Sequence, residues 1–414
     1  MFQRRVVITG WGIVSPIGNS PEAVANSLKH SHSGIVSMPE YAALGMRSQV
    51  AGLAHTERCE DIPPKLRRFM GLEAQLGWVA VQDALASAGI DESLLHSERT
   101  GLIMGSGGAS TKDIVEAADL LREKGIRKVG PYRVTATMTN TVSACLSTAM
   151  GIRGLNFSIA SACATSAHSI GLAAQMVAWG EQDVVIAGGA EAEHWAQSSL
   201  FDAMKAMSST YNDMPEKASR AYDKSRDGFV IANGAGALIV ESLEHALARG
   251  GANIIAEITG YGTASDGASM VAPSGEGSER AMRTAVEMHA AVREAPIDYI
   301  NTHATSTPVG DAIEVAAMQR VFGDSLPAFS STKSLTGHSL GAAGVHEAIY
   351  SLIMLQQGFM AAAANIDELD PEFEGLPLVR EHTDVPMASV MSNSFGFGGT
   401  NVSLIFSNYA DAGQ

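Results

Sequence analysis

Residues 8–15 read ITGWGIVS, and residues 258–265 read ITGYGTAS. Both keep Ile, Thr, Gly, an aromatic, Gly and a later Ser, and each follows a β-branched run, VVI in one and IIAEI in the other. The pattern predicts a core strand that ends in a Gly-containing turn. A second echo follows in the same order. SACATSAHSIG at 161–171 and STKSLTGHSLG at 331–341 match at Ser161/Ser331, His168/His338, Ser169/Ser339 and Gly171/Gly341, with Cys163 opposite Lys333. Two matched elements in one order imply a duplicated unit, with halves at 1–250 and 251–414. The offsets are 250 and 170 residues, so the first half carries extra material, expected between 20 and 150 and around 195–225.

Strands alternate with helices along the chain. TGLIMGSG, LNFSIAS, DVVIAGGAEA and GALIVES read as strands in the first half; IDYINTHATS, LPAFSST and SVMSNSF do so in the second. EAQLGWVAVQDALASAG and GVHEAIYSLIMLQQG read as helices, each closed by a glycine. Apolar strands alternating with helices predict an α/β fold whose sheets are covered by helices.

The totals narrow the function. The 414 residues are 46% hydrophobic and 17% charged, which supplies a large core and excludes disorder. A net charge of −16 argues against nucleic acid, because no basic face would neutralise phosphates. No apolar run is long enough to span a membrane, and MFQRRVVITGWG lacks the features of a signal peptide. The three cysteines, Cys59, Cys145 and Cys163, form neither a disulfide framework nor a CxxC metal pair. The expectation is a cytoplasmic protein with free thiols and no metal site.

Cys163 falls between LNFSIAS and the helix TSAHSIGLAAQMVAWG. A helix start favours a thiolate, and flanking Ala162 and Ala164 leave room for a substrate carbonyl. Cys59 and Cys145 have no such placement and read as inert. His303, in INTHATSTPVGD, lies just past a strand where sites collect in α/β folds. His338 precedes a helix, whose N-terminus would keep it neutral and able to donate a hydrogen bond. Lys333 follows the strand end AFSST and would bias nearby histidines toward neutrality. His168 reads as a packing residue. SNSFGFGGTN offers backbone N–H groups for an oxyanion hole.

GHSLG at 337–341 also fits a serine nucleophile elbow, with Ser339, His382 and Asp370 or Asp384 as a triad. The context disfavours it, since no strand runs directly into Ser339 and no HGGG-type segment is present. GSGG at 105–108 and GAG at 234–236 are too short a signal for nucleotide binding.

Taken together, SACATSAHSIG, INTHATSTPVGD, STKSLTGHSLGAAG and SNSFGFGGTN resemble the β-ketoacyl-[acyl-carrier-protein] synthases of the thiolase-like superfamily. The likeness runs the length of the chain. FDAMKAMSSTYNDMPEKASRAYD, DGFVIANGAG and MVAPSGEG are closer to bacterial synthase I than to synthase II. The resemblance implies a five-layered α-β-α-β-α fold built from two similar halves. It also implies a decarboxylating Claisen condensation in fatty acid elongation. Cys163 would carry the acyl chain, His303 and His338 would stabilise the malonyl enolate, and Lys333 would tune them. Phe397 would complete the oxyanion hole with Cys163.

By the same resemblance Thr305 and Thr307 bind the phosphopantetheine arm, and Phe395 and Phe397 gate the acyl pocket. Met138 or Thr137 reaches into the pocket of a partner in a homodimer. An acyl carrier protein docks on Lys65, Arg68, Lys124 and Arg127, within the two marked basic clusters PKLRRFM and REKGIRKVG. No cofactor is implied beyond the carrier's own arm, although a structural monovalent cation could lie near Asn301, Glu347, Ser392 and Asn393. A degradative thiolase is disfavoured because no cysteine follows Cys163, and a silent chain-length factor because Cys163 is present. Synthase II and polyketide-type ketosynthases share the same residues and remain alternatives.

Overall fold

The computed structural model describes residues 4–250 and 252–409. The expected boundary at 250/251 abuts residue 251, which lies outside the described residues, as do 1–3 and 410–414. The first half contributes β1 (Val6–Val14), β2 (Thr100–Gly105), β3 (Asn156–Phe157), β4 (Val184–Glu191) and β5 (Gly234–Ser242). The second contributes β6 (Ala256–Ser265), β7 (Tyr299–Asn301), β8 (Ala328–Ser330), β9 (Ser389–Gly396) and β10 (Thr400–Ser407).

Their order across the sheet is β8-β7-β9-β10-β6-β1-β5-β4-β2-β3. Read outward from the middle, the halves are identical in topology. β1-β5-β4 and β6-β10-β9 are antiparallel, and β4-β2-β3 and β9-β7-β8 are parallel. Within the sheet the halves are joined where β1 pairs with β6, Val7 with Glu257 and Ile8 with Ala256.

The covering helices are α1 (Leu72–Ala88), α2 (Thr165–Ala178), α3 (Trp195–Ala203), α4 (Glu276–Ala290), α5 (Pro308–Phe322) and α6 (Ala343–Gln357). α1 packs on β1, β4 and β5, while α4 packs on β6 and β10 with α5 beside it. α2 and α6 touch each other and strands of both halves. The result is five layers, with α2 and α6 as the filling. Every residue of α6 from Ala343 to Leu355 is buried, as a helix enclosed between the two five-stranded halves of the sheet requires. Small residues make that layer thin: a Cβ on Gly344 would stand 2.8 Å from Ala167 Cβ of α2.

Several expectations change, two in the strands and one in the register of the second echo. The glycines of ITGWG and ITGYG do not end their strands; both strands run through them. A Cβ on Gly12 would meet the Ala80 carbonyl oxygen of α1 at 2.1 Å, and one on Gly262 would meet that of Ala281 of α4 at 1.9 Å. The repeated glycines are the places where an outer helix lies directly on a strand. The strand expected over LNFSIAS shortens to the two residues of β3.

The remaining change concerns register. Single 3-10 turns, Ala162–Ala164 and Leu340–Ala342, precede α2 and α6, and each opens on a left-handed residue, Ala162 (φ 50) and Leu340 (φ 45). Ser161 Oγ bonds His168 Nδ1 at 2.8 Å, and Ser339 Oγ bonds His346 Nδ1 at 3.0 Å. Cys163 is therefore equivalent to Gly341 and not to Lys333, and His168 to His346 and not to His338. The duplicated element is real, but the true match lies eight residues further on than the sequence echo.

Gly12→Ala and Gly262→Ala should each destabilise the protein by about 1–3 kcal/mol through overpacking. Urea unfolding midpoints measure this, and an unshifted midpoint for either would contradict the close helix–strand approach.

Candidate active site

The 3-10 turn at Ala162–Ala164 lifts Cys163 to the floor of a cavity of about 440 Å³. The turn is pinned from both sides. Thr165 Oγ1 accepts from Ser161 N at 2.9 Å and donates to the Ala162 carbonyl at 2.8 Å. Thr400 Oγ1, across the β9–β10 turn, donates to the Ser161 carbonyl at 3.0 Å. That turn carries Phe397, whose backbone N–H, with that of Cys163, points at the sulfur. A Cβ on Gly396 would come within 3.1 Å of Cys163 N, so only glycine lets the turn approach.

The helix start does not give Cys163 a low pKa. Burial pushes the thiol up to about 12, outweighing the Lys333 charge and the two N–H groups that favour the thiolate. Apolar neighbours account for it: Cys163 packs against a cluster that includes Met207, Phe229 and Leu340.

His303 follows β7 and His338 lies between the short helix Lys333–Thr336 and the turn before α6. Their ring centroids are 5.3 Å apart at 84°, and one nitrogen of each ring and Cys163 Sγ lie within 4.8 Å of one another. The backbone of His338 is fixed by N–H donation to the Val230 carbonyl at 2.7 Å, and that of His303 by donation to Glu314 Oε1 of α5 at 2.8 Å. Both imidazoles are held well below their ordinary pKa, by burial first and then by Lys333. Their neutrality was expected. The Lys333 contribution was expected too; burial, the larger cause, was not. Among the described residues neither ring nitrogen of His338, nor Nδ1 of His303, has a hydrogen-bond partner.

Lys333 is 2% exposed and pairs with Glu347 of α6. It does not line the cavity; it acts through its charge on Cys163, His303 and His338. Three soft donors at this spacing would suit a metal, but the lysine charge that keeps both imidazoles neutral also opposes a cation between them. The arrangement instead suits chemistry that builds negative charge.

Thr305 and Thr307 line the cavity with hydroxyls 3.3 Å apart, turned inward by the left-handed Ser306 between them (φ 71). Phe395 packs on His303 at 5.9 Å, and Phe397 on Phe201 of α3 at 6.3 Å. Met138, on the extended residue after the helix Arg133–Thr137, is not among the residues lining this cavity. Lys65, Arg68, Lys124 and Arg127 are exposed and absent from the cavity lining, Lys65 and Arg68 at the short helix Pro64–Arg67, Lys124 at the end of the helix Thr111–Lys124 and Arg127 on the helical turn after it, Arg68 lying over Phe69 and Tyr132 at 4.8 Å each. His168 bridges Ser161 and Thr263, so it packs. Ser339 is buried on His346, and His382 pairs with Asp384 instead of Ser339, so no serine triad forms.

Sequence reasoning missed Glu314 and Arg226. Glu314 holds the His303 backbone and the Asn393 amide, at 2.8 and 3.1 Å. Arg226 fixes the threonine loop through the carbonyls of Thr307 and Pro308, at 3.3 and 2.9 Å. The available signal was Asp311 and Glu314, two acids three apart on a buried helix face.

The model of the beta-ketoacyl synthase N-terminal domain matches residues 3–246, and that of the C-terminal domain matches 255–367. The chain belongs to the beta-ketoacyl synthase family. It is 54% identical over 408 residues to 3-oxoacyl-[acyl-carrier-protein] synthase 1 of Haemophilus influenzae, covering 98% of this chain and 99% of the relative. It is 53% identical over 410 residues to the enzyme of the same name from Escherichia coli K12, covering 99% and 100%. A beta-ketoacyl synthase from Burkholderia phymatum superposes with a TM-score of 0.92 at 35% identity, over 98% of this chain and 100% of that one. A type II polyketide ketosynthase, solved with its acyl-carrier protein, gives 0.88 at 26% identity. The fold is thus the thiolase-like one of known ketosynthases. No described helix of this synthase is long and apolar enough to cross a membrane.

Neutralising the buried pair as Lys333→Met with Glu347→Gln should raise the pKa of both histidines toward 6.5, the ordinary value. Imidazole NMR titration measures it. In the unaltered protein His303 and His338 stay neutral as pH falls through 6.5; in the variant they protonate at a higher pH than that protein's do, still below 6.5 because burial remains. Unchanged titration would remove Lys333 as the tuning charge.

Proposed function

We propose that this synthase is a 3-oxoacyl-[acyl-carrier-protein] synthase I. It joins an acyl-[acyl-carrier-protein] to malonyl-[acyl-carrier-protein], giving the 3-oxoacyl product and CO2 in fatty acid elongation. The observation that carries the reading is the convergence of Cys163 with two neutral, unpartnered imidazoles around one cavity. Full-length identity to the two synthase 1 relatives favours this over a synthase II or polyketide role.

Cys163 attacks the acyl thioester, and the N–H groups of Cys163 and Phe397 take the developing oxyanion. The carrier thiol leaves with the proton that Cys163 gives up. Thioester exchange is close to balanced, so a thiol that is protonated at rest suffices if the thiolate is formed in the transition state. Malonyl thioester then enters along Thr305 and Thr307. Loss of CO2 leaves an electron pair on the enolate, whose oxygen takes hydrogen bonds from His303 and His338. The enolate carbon attacks the acyl-Cys163 carbonyl, the C–Sγ bond breaks, and the sulfur takes a proton from water.

Neutral histidines suit this step because an imidazolium would give its proton to the carbanion and quench it. Lys333 positions and tunes them without touching substrate. The carrier docks on Lys65, Arg68, Lys124 and Arg127, whose charge offsets the net −16 of the chain. The enzyme works in the cytoplasm as a homodimer in which Met138 reaches the partner's acyl pocket. A structural monovalent cation would be held near Asn301, Glu347 and Ser392, on the far side of Glu347 from Lys333, where the second carboxylate oxygen has no hydrogen-bond partner among the described residues. The Asn393 amide is already engaged by Glu314 and Ser403 and supplies no ligand there.

Cys163→Ala should abolish acyl-enzyme formation, read by intact mass; an undiminished elongation rate would refute the assignment. His303→Ala or His338→Ala should slow malonyl decarboxylation by about 10²–10³ while acyl transfer falls far less. Equal loss in both half-reactions would contradict the division of labour. Lys65→Glu with Lys124→Glu should raise KM for carrier-bound substrates and spare small thioesters, and an unchanged KM would place docking elsewhere.

A further inference from the structure

Lys205 stands where a helix normally takes glycine. It follows Met204, the C-terminal cap of α3, with a left-handed backbone (φ 60). Its N–H donates to the Asp202 carbonyl at 3.0 Å, and that of Ala206 to the Phe201 carbonyl at 3.2 Å. These are the paired bonds of a Schellman motif, whose left-handed position favours glycine because a Cβ strains it. A lysine there needs a reason. The helix dipole does not supply it, since Ala203 and Met204 are exposed, unstrained positions in the last turn where a cation would serve equally.

The reason lies in the cavity. Lys205 is the single Lys or Arg among the residues that line it with Cys163. The rim around it is apolar: Met204, Met270 and Val309 are 48%, 75% and 60% exposed. The three acids of the lining accept backbone hydrogen bonds from nearby segments, Asp227 through one oxygen while the other is left without a partner among the described residues. Asp227 accepts from Ser209 and Thr210 N–H, Asp266 from Ser274 and Gly277 N–H, and Glu314 from His303 N–H. Lys205 has no ion pair among the described residues, so its ammonium stands free over an apolar mouth.

Resting on the reading above, we propose that Lys205 binds the phosphodiester of the phosphopantetheine arm where it crosses the rim. The thiol end of the arm reaches Cys163, its amides pass Thr305 and Thr307, and its one fixed negative charge lies at the far end. The single cation on the rim of a largely apolar mouth recognises that charge and sets how deep the arm sits.

The test compares acyl and malonyl thioesters of pantetheine with those of 4′-phosphopantetheine, on the full-length enzyme and on Lys205→Gly and Lys205→Arg. The phosphate should lower KM in the unaltered enzyme. Lys205→Gly should erase that advantage, raising KM for the phosphorylated substrates about fivefold while KM for the pantetheine thioesters stays put. It should also melt higher, because glycine relieves the left-handed strain, which separates recognition from damage. Lys205→Arg should keep the phosphate preference. A preference that survives in Lys205→Gly overturns the proposal. So does a KM rise confined to carrier-bound substrates, which would mean that Lys205 meets an acidic side chain of the carrier. An unaltered enzyme that condenses none of these substrates would refute the synthase reading itself.

Discussion

The buried ion pair of Lys333 with Glu347 is the constraint on which the site depends. One positive charge, enclosed where the two halves of the molecule meet, lowers the pKa of both histidines and opposes the rise that burial imposes on Cys163. A charge in that position is tolerated only because a carboxylate of α6 accompanies it, and removing one partner alone would cost about 3–5 kcal/mol. The pair contributes little to stability for its own sake. Its value is a local potential that favours anions on the substrate and neutrality on the imidazoles.

Duplication explains how the chain builds such a site. Each half provides the same five strands and the same strand–turn–helix corner, and the two corners face each other across α2 and α6. One corner bears Cys163. The other has Gly341 in that place, whose N–H donates to Glu191 at 2.9 Å, and a Cβ there would fall 2.3 Å from Gly107 N. The catalytic groups of the second half come from its less symmetric loops, after β7 and β8. A symmetric scaffold thus holds an asymmetric reaction centre, with the nucleophile on one side and the groups that handle the enolate on the other.

Much of this was legible in the sequence. Strand–helix alternation and the ITGWG/ITGYG echo predict the duplicated α/β fold, and motif resemblance points to the residues that gather at the cavity. The register of the second echo was not legible. Its matching Ser, His and Gly residues are common in thin central helices, whereas the true equivalence rests on left-handed turns at Ala162 and Leu340. Neither alanine nor leucine signals that backbone, as glycine would have. The high pKa of Cys163 was also hidden, because desolvation depends on Met207, Phe229 and Leu340, which reach the sulfur only through the tertiary fold. Glu314 and Arg226 escaped for a similar reason: they hold backbone, and a side chain that holds backbone carries no motif.

α6 has a consequence for how the molecule comes into being. A helix buried on every side between the two halves of the sheet has no surface to offer water, and β1 and β6 share two residue pairs to join those halves. Neither half can close its core until the other supplies the opposite wall. The chain is two copies in topology and one unit in packing, so the layer that completes its core also completes its reaction centre.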